Sequence, residues 1–400
     1  MPALRRRGGL GLPPAGDRTP AAAHRRRPLP RDPRRPRPRA RPPGASLTAA
    51  RRRHPVTTPR DHTPDSSGSG RSVVVDTDTG IDDALALLWL AGRRDVEIAA
   101  VTAVYGNCTV QDATRNIGAV LSVAGLTVGE GGIPVSVGAA GPIDGRPAHF
   151  ATYVHGHDGL GDLGGERPDV PVEDRSAAEQ LVHLANTDPG RHDLLVLGPM
   201  TNIAAALERD PDLLTKFRST VVMGGSGPFP ALGVAQIVDA NIANDAAAAR
   251  AVFAAPRTQL VMVGVNVGAG AIVDEAAVRR LHDSPTEVGR FSAALLESYM
   301  DFYQQVWGRR VSPAWDGLAA ALLVEPRWIS DFEDGPVGLV PDGERWRAHL
   351  LRTAEGGPVP FEPATRPGRP APSTRVALAV DVEAFLDDFL TTLAGDGARP

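Results

Sequence analysis

The stretch from Val73 to Leu87, Val-Val-Val-Asp-Thr-Asp-Thr-Gly-Ile-Asp-Asp-Ala-Leu-Ala-Leu, limits the folds open to this chain more than any other. Val73 to Val75 is a β-branched apolar run that predicts a buried strand, and Ala84, Leu85, Leu87, Leu88 and Leu90 recur at helical spacing directly after it. Between them stand four carboxylates within eight residues: Asp76, Asp78, Asp82 and Asp83. A strand that passes into a helix through polar residues is the unit of a parallel sheet, and open sheets of that kind bind ligands beyond the carboxyl ends of their strands. Four like charges in one turn cost free energy unless a cation or several hydrogen-bond donors offset them. The ordinary alternative is a solvated acidic loop whose aspartates, Asp82 first among them, cap the helix that follows.

The alternation continues along the chain. Val96 to Val104, Pro134 to Val137, Leu194 to Leu197, Thr220 to Met223, Gln259 to Val263 and Val376 to Val380 are strand-like. Val110 to Ala124, Ser176 to Asn186, Asn202 to Arg209, Ala246 to Phe253, most of Asp274 to Leu323, and Val382 to Leu393 are helix-like. The predicted fold class is therefore α/β, a doubly wound, mostly parallel open sheet flanked by helices. Gly138 to Pro171 has too little periodicity for regular structure, and Arg366 to Pro372 reads as a surface loop.

Charge divides the chain in two. Residues 1–70 hold 17 arginines, 14 prolines and four acids, with no apolar periodicity, and are expected to form a disordered Arg/Pro-rich tail. Residues 71–400 are expected to form one catalytic domain, with 26 basic and 43 acidic side chains and a formal balance of −17. An acidic globule is a poor generic binder of nucleic acid, and no apolar run is long enough to span a membrane. Neither nucleic acid nor membrane is an expected partner. Cys108 is the single cysteine, so no intrachain disulfide can form, and a reducing, cytoplasmic setting is expected.

Several predicted strand ends could bring polar groups to the acidic loop: Tyr105-Gly106-Asn107, Gly198-Pro199-Met200-Thr201-Asn202 and Gly224-Gly225-Ser226-Gly227. Asp239-Ala240-Asn241 and Trp315-Asp316 are further polar groups set in apolar or helical sequence. Singly, Asn107, Asn202 and Asn241 read as caps or turn residues, and Asp316 as an N-cap.

Together these segments resemble the nucleoside hydrolases, the family typified by inosine-uridine-preferring and purine-specific N-ribohydrolases. The resemblance rests on Asp76 to Ala84, on Gly106-Asn107, on His155-Gly156-His157-Asp158-Gly159-Leu160-Gly161, on Leu197 to Ala204, on Val222 to Gly225 and on Asp239 to Asn241, and runs from about Ser72 to Leu393. It implies calcium-dependent hydrolysis of the N-glycosidic bond of ribonucleosides, by a homodimer or homotetramer acting on a small-molecule nucleoside. By the same resemblance Asp78, Asp83, the Leu197 carbonyl and Asp316 hold Ca²⁺, all hard oxygen donors. Asp78 is also the general base, Asp82 and Asn107 bind the ribose, and Asn241 lies on its 3′-hydroxyl side.

The departures bear on the substrate. Trp315 stands where inosine-uridine-type members often have a histidine, and an indole cannot supply a leaving-group proton near neutral pH. That tryptophan is similar to the purine-specific branch, in which stacking on the base helps it leave, so the expected enzyme leans toward purines. His155 and His157 remain as candidate acids or stacking groups. Asp239 replaces the family's usual glutamate and Gly233 its usual asparagine, both on the 5′-hydroxyl side. Tyr299 and Tyr303, four apart on a predicted helix, match the region that closes over the base. Two other readings stay open. The chain could bind nucleosides or sugars with calcium without turning them over, or Asp76-Thr77-Asp78 could open a phosphatase of the haloacid-dehalogenase type.

Overall fold

A computed structural model describes residues 70–163, 167–229, 239–352 and 360–395. The expected tail, apart from Gly70, lies outside the described residues, and so does Gly233.

The valine run forms β1 (Arg71–Thr77), buried from Ser72 onward. Its side chains alternate across the sheet: Val73 and Val75 enter one apolar cluster and Val74 the other. With both faces covered, a strand needs no polar alternation, which is why the sequence here is a continuous apolar run.

In chain order the other strands are β2 (Val96–Ala103), β3 (Val135–Val137), β4 (His192–Val196), β5 (Thr220–Met223), β6 (Pro228–Phe229), β7 (Leu260–Val263), β8 (Ile272–Val273), β9 (Ser312–Pro313), β10 (Ile329–Gly335), β11 (Val337–Asp342), β12 (Arg345–Leu351) and β13 (Thr374–Val380). Eight of them form one sheet in the order β10-β13-β7-β5-β4-β1-β2-β3, parallel at every pairing except β10 with β13. The expected fold class is observed. From β1 the chain steps outward to β2 and β3, then returns to the far side of β1 as β4. The reversal opens a crevice beyond the carboxyl ends of β1 and β4, where doubly wound sheets take their ligands.

Two helices beneath that crevice are apolar almost all round. Ile81–Ala91 is buried at ten of its eleven positions and Trp315–Val324 at all ten. They pack against each other in the larger core cluster, so their sequences lack the polar face of a surface helix.

Six strands have no counterpart in the sequence reading: the two-residue β6, β8 and β9, too short to leave a period, and β10 to β12. β10 carries Asp331, Glu333 and Asp334 as an antiparallel edge strand, and charges blunt such edges at the expense of a recognisable pattern. β11 and β12 form a hairpin beside β6, a pairing set by tertiary contacts. Among its described residues, Gly138 to Pro171 contains one short helix, Thr152–His155. No helix among the described residues is long and apolar enough to cross a membrane.

Candidate active site

The loop that joins β1 to helix Ile81–Ala91 is locked by its own side chains. Thr79 sits at φ +36°, in the left-handed region that costs a β-branched residue on the order of 1–3 kcal/mol. Thr77 Oγ1 accepts from the Thr79 N–H at 3.0 Å, and Asn116 Nδ2 donates to the Thr79 carbonyl at 3.0 Å. Asp83 accepts from Thr77 Oγ1 at 2.5 Å and from the Gly80 N–H at 2.9 Å. Capping therefore falls to Asp83 and not to Asp82. Asp316 is no N-cap either, since it is the second residue of its helix, behind Trp315.

Asp82, Asp83 and Asp316 are buried, and each offers one carboxylate oxygen within 4.8 Å of the others. Asp78 adjoins them but turns to Asn107, which donates its backbone N–H to Oδ2 at 2.8 Å and its Nδ2 to Oδ1 at 3.2 Å. The same Nδ2 reaches Asp83 at 2.9 Å. Burial first, then the charge of Asp83, pushes Asp82 up to about 8 and holds Asp78 well above the usual carboxylate range. Burial, then Asp82, Asp83 and Asp78, does the same to Asp316. Such a cluster takes up protons unless a cation supplies the missing charge. Behind it, Asp76 Oδ1 accepts from Thr102 at 2.6 Å and from Asn202 at 2.8 Å, and burial raises that carboxyl to about 6. Asn202 thus cross-links strand ends and does not act as a cap.

Asp82 and Asp316 line a cavity of about 510 Å³, while Asp78 and Asp83 lie off its lining. One wall is an aromatic stripe on helix Glu287–Trp307, with Tyr299, Phe302, Tyr303, Val306 and Trp307 on one face. Trp315 completes it. Its Nε1–H donates to the Tyr303 hydroxyl at 2.8 Å, so the indole has its donor occupied and offers the cavity its ring. A side chain at Gly268 would run into that ring. Tyr299 packs edge-on to Tyr303, with centroids 5.0 Å apart, and its hydroxyl donates to Asp82 Oδ2 at 3.2 Å. Asp82 Oδ1 is buried without a hydrogen-bond partner.

The lining also includes Met223, Asp239, Asn241 and Arg345. Asp239 caps helix Ala240–Asn244, accepting the N–H of Gly225 at 2.6 Å and of Asn241 at 3.0 Å, and burial raises it to about 6. Asn241 Nδ2 donates to the Leu197 carbonyl at 2.5 Å and the Met223 carbonyl at 3.1 Å. The Leu197 carbonyl therefore meets Asn241, and its second lone pair stays available.

His155 lines the cavity, but its Nδ1 accepts the Ile81 N–H at 3.1 Å and burial pushes the ring down to about 3. It is a neutral imidazole with its proton on Nε2, so the 3.9 Å approach to Asp82 is no ion pair. This differs from the expected group titrating near neutrality. His157 is exposed, faces Asp162 and lies off the cavity lining.

Phe302 and Trp307 extend the stripe already marked by Tyr299 and Tyr303, and helical spacing alone could have found them. Tyr153 and Arg345, also on the lining, sit in segments without a periodic signal.

A switch-point cavity with buried carboxylates on its lining and aromatic rings on one wall is the site of an enzyme for a small polar substrate that carries a flat ring. The profile of the family described as inosine-uridine preferring nucleoside hydrolase matches residues 73–387. A probable uridine nucleosidase of Oryza sativa subsp. japonica is 32% identical over 271 residues, 68% of this chain and 82% of the relative. The inosine-uridine preferring nucleoside hydrolase of Crithidia fasciculata is 28% identical over 68% of this chain and 85% of its own length. Among solved structures, a plant nucleoside hydrolase superposes with a TM-score of 0.71 at 27% identity, covering 81% of this chain and 99% of that one. A purine-preferring ribonucleoside hydrolase from Gardnerella vaginalis gives 0.67 at 26% identity, with 81% and 98% coverage. The chain belongs to the nucleoside hydrolase family and is an N-glycosidic hydrolase of ribonucleosides. The family match sets aside the phosphatase reading of Asp76-Thr77-Asp78.

Proposed function

We propose that this enzyme is a calcium-dependent, purine-leaning ribonucleoside hydrolase. The observation that carries the proposal is the set of buried carboxylates Asp82, Asp83 and Asp316, of which Asp82 and Asp316 line an aromatic-walled cavity. The donor set fits the ion. It consists of hard oxygens, one of them unpartnered, and it suits calcium or magnesium and not zinc. Asp83 and Asp316 would hold it with Asp78 and the Leu197 carbonyl, and Asp82 stands close enough to share the task. A divalent cation bound there supplies Lewis acidity toward water and orients a sugar diol.

The chain's own groups do the rest. Asp78 accepts a proton from the attacking water, and Asn107 fixes its rotamer. Asp82 and the side-chain carbonyls of Asn107 and Asn241 accept from the ribose hydroxyls, the amide N–H groups being spent on Asp78, Asp83, Leu197 and Met223, and Asp239 lines the sugar's far side. As the bond from C1′ to the base stretches, positive charge grows on the sugar, and the nearby carboxylates stabilise it. Trp315, Tyr299 and Tyr303 lie against the base, and His155 Nε2–H is the nearest imidazole donor.

Trp315, buried but on the cavity lining, supports the purine lean, since a two-ring base covers more of an indole than a one-ring base does. Several similar proteins are named for uridine, which makes the base preference a matter for direct measurement. A homodimer or homotetramer, measured by light scattering, and a cytoplasmic setting, in keeping with the single buried free Cys108, complete the proposal. The test is ribose release across a panel of purine and pyrimidine nucleosides. Binding of nucleosides with calcium but without ribose release would select the non-catalytic binder instead.

A further inference from the structure

A nucleoside presents three parts to a pocket: the base, the 2′,3′-diol and the C5′ arm. On the hydrolase reading, with the base against the aromatic rings and the diol over the acids, C5′ would face the rest of the lining, which includes Asp239, Asn241 and Arg345. Both Asp239 oxygens already accept backbone N–H groups. Arg345 is the one cationic side chain on the lining among the described residues, and it is exposed, with no ion-pair partner among them. Arg347 follows two positions along β12 and so projects to the same face of the strand. It pairs with Asp342 at 2.8 Å, and its charge also reaches Asp239. β12 packs on the helix that Asp239 caps, which sets Arg345, at the start of that strand, near the same end of the cavity. A guanidinium presents a planar fork of donors that matches a phosphate.

We propose that the pocket accepts nucleosides whose C5′ carries an anionic group, a nucleoside 5′-monophosphate foremost, with Arg345 holding the phosphate at the mouth. The proposal rests on the hydrolase reading and names a further substrate class for the same site. Water gives its hydroxyl to C1′, the C1′–N bond breaks with its electrons on the base, and the remaining proton ends on the base. The products are free base and ribose 5-phosphate.

The test compares kcat/KM for inosine with inosine 5′-monophosphate, and for uridine with uridine 5′-monophosphate, on the calcium-loaded full chain. Base release is followed, and the sugar product is identified by mass spectrometry. We expect the nucleotides to be cleaved, and the nucleotide-to-nucleoside ratio to fall about ten-fold or more in Arg345→Ala, with part of it kept in Arg345→Lys. A ratio cancels any misfolded fraction. Cleavage of nucleosides but not of nucleotides, or an unchanged ratio in Arg345→Ala, overturns the proposal and leaves the hydrolase reading standing. Base release from neither class overturns both.

Discussion

Asn107 grips Asp78 at both carboxylate oxygens, with its backbone N–H on Oδ2 at 2.8 Å and its side-chain amide on Oδ1 at 3.2 Å. The amide also reaches Asp83, so one residue after β2 sets the orientation of two acids after β1. Replacing Asn107 by Ala removes the side-chain bonds but keeps the backbone one. Losing a hydrogen bond to a charged group costs about 1.5–3 kcal/mol, so kcat/KM should fall roughly 10- to 100-fold. Steady-state kinetics with a matched thermal melt checks this, and a wild-type rate would remove Asn107 from the account.

Gly106 explains how Asn107 comes so close. It adopts φ +154°, and a Cβ there would collide with Asp78 Oδ2. Gly106→Ala should therefore displace the Asp78 carboxylate and weaken calcium binding measured by titration calorimetry. An unchanged calcium affinity in a folded variant would show that Asp78 is not held where the account needs it.

Trp315 controls base preference in this account through its ring, because its N–H is spent on Tyr303. Trp315→His should raise pyrimidine cleavage relative to purine cleavage, while Trp315→Phe should keep the wild-type order. Ratios of kcat/KM for inosine and uridine in the two variants decide the point. The same ratio in wild type and Trp315→His would sink the stacking argument.

His349, on β12, is buried with Nδ1 unpartnered, and burial holds its ring below the ordinary 6.5. Below pH 6.5 the unfolded chain takes up a proton there that the folded chain refuses. Stability from this group is therefore present above that pH and lost as pH falls. Melting temperatures at pH 7.5 and 5.5 should drop more on acidification for the wild type than for His349→Gln, and equal drops would contradict the assignment. The variant comparison is needed because the raised pKa values of Asp76, Asp82 and Asp239 act in the opposite sense.

Legibility in the sequence followed the range of the interactions. Strand, acidic loop and helix from Val73 to Leu90 are adjacent in the chain, so composition and period alone located them, and the parallel sheet followed from their repetition. Asp316 could be joined to Asp83 only through family resemblance, since nothing local links residues so far apart in sequence. The division of labour among the acids was only partly readable: Asp83, and not Asp82, caps the helix, because the bond from Thr77 and the strained Thr79 decide which carboxylate turns back. The neutral state of His155 and the occupied donor of Trp315 come from burial and from the distant partners Ile81 and Tyr303. β10 to β12, and with them Arg345, stayed hidden because charged edge strands and a tertiary hairpin leave no period to read.

The most direct test of the central claim is ribose release from inosine by protein stripped with a chelator and then titrated with calcium, beside Asp83→Asn and Asp316→Asn. Turnover should be lost on stripping, recover with calcium in the wild type, and not recover in either variant. Full turnover in the presence of chelator, or in the variants, would contradict that claim.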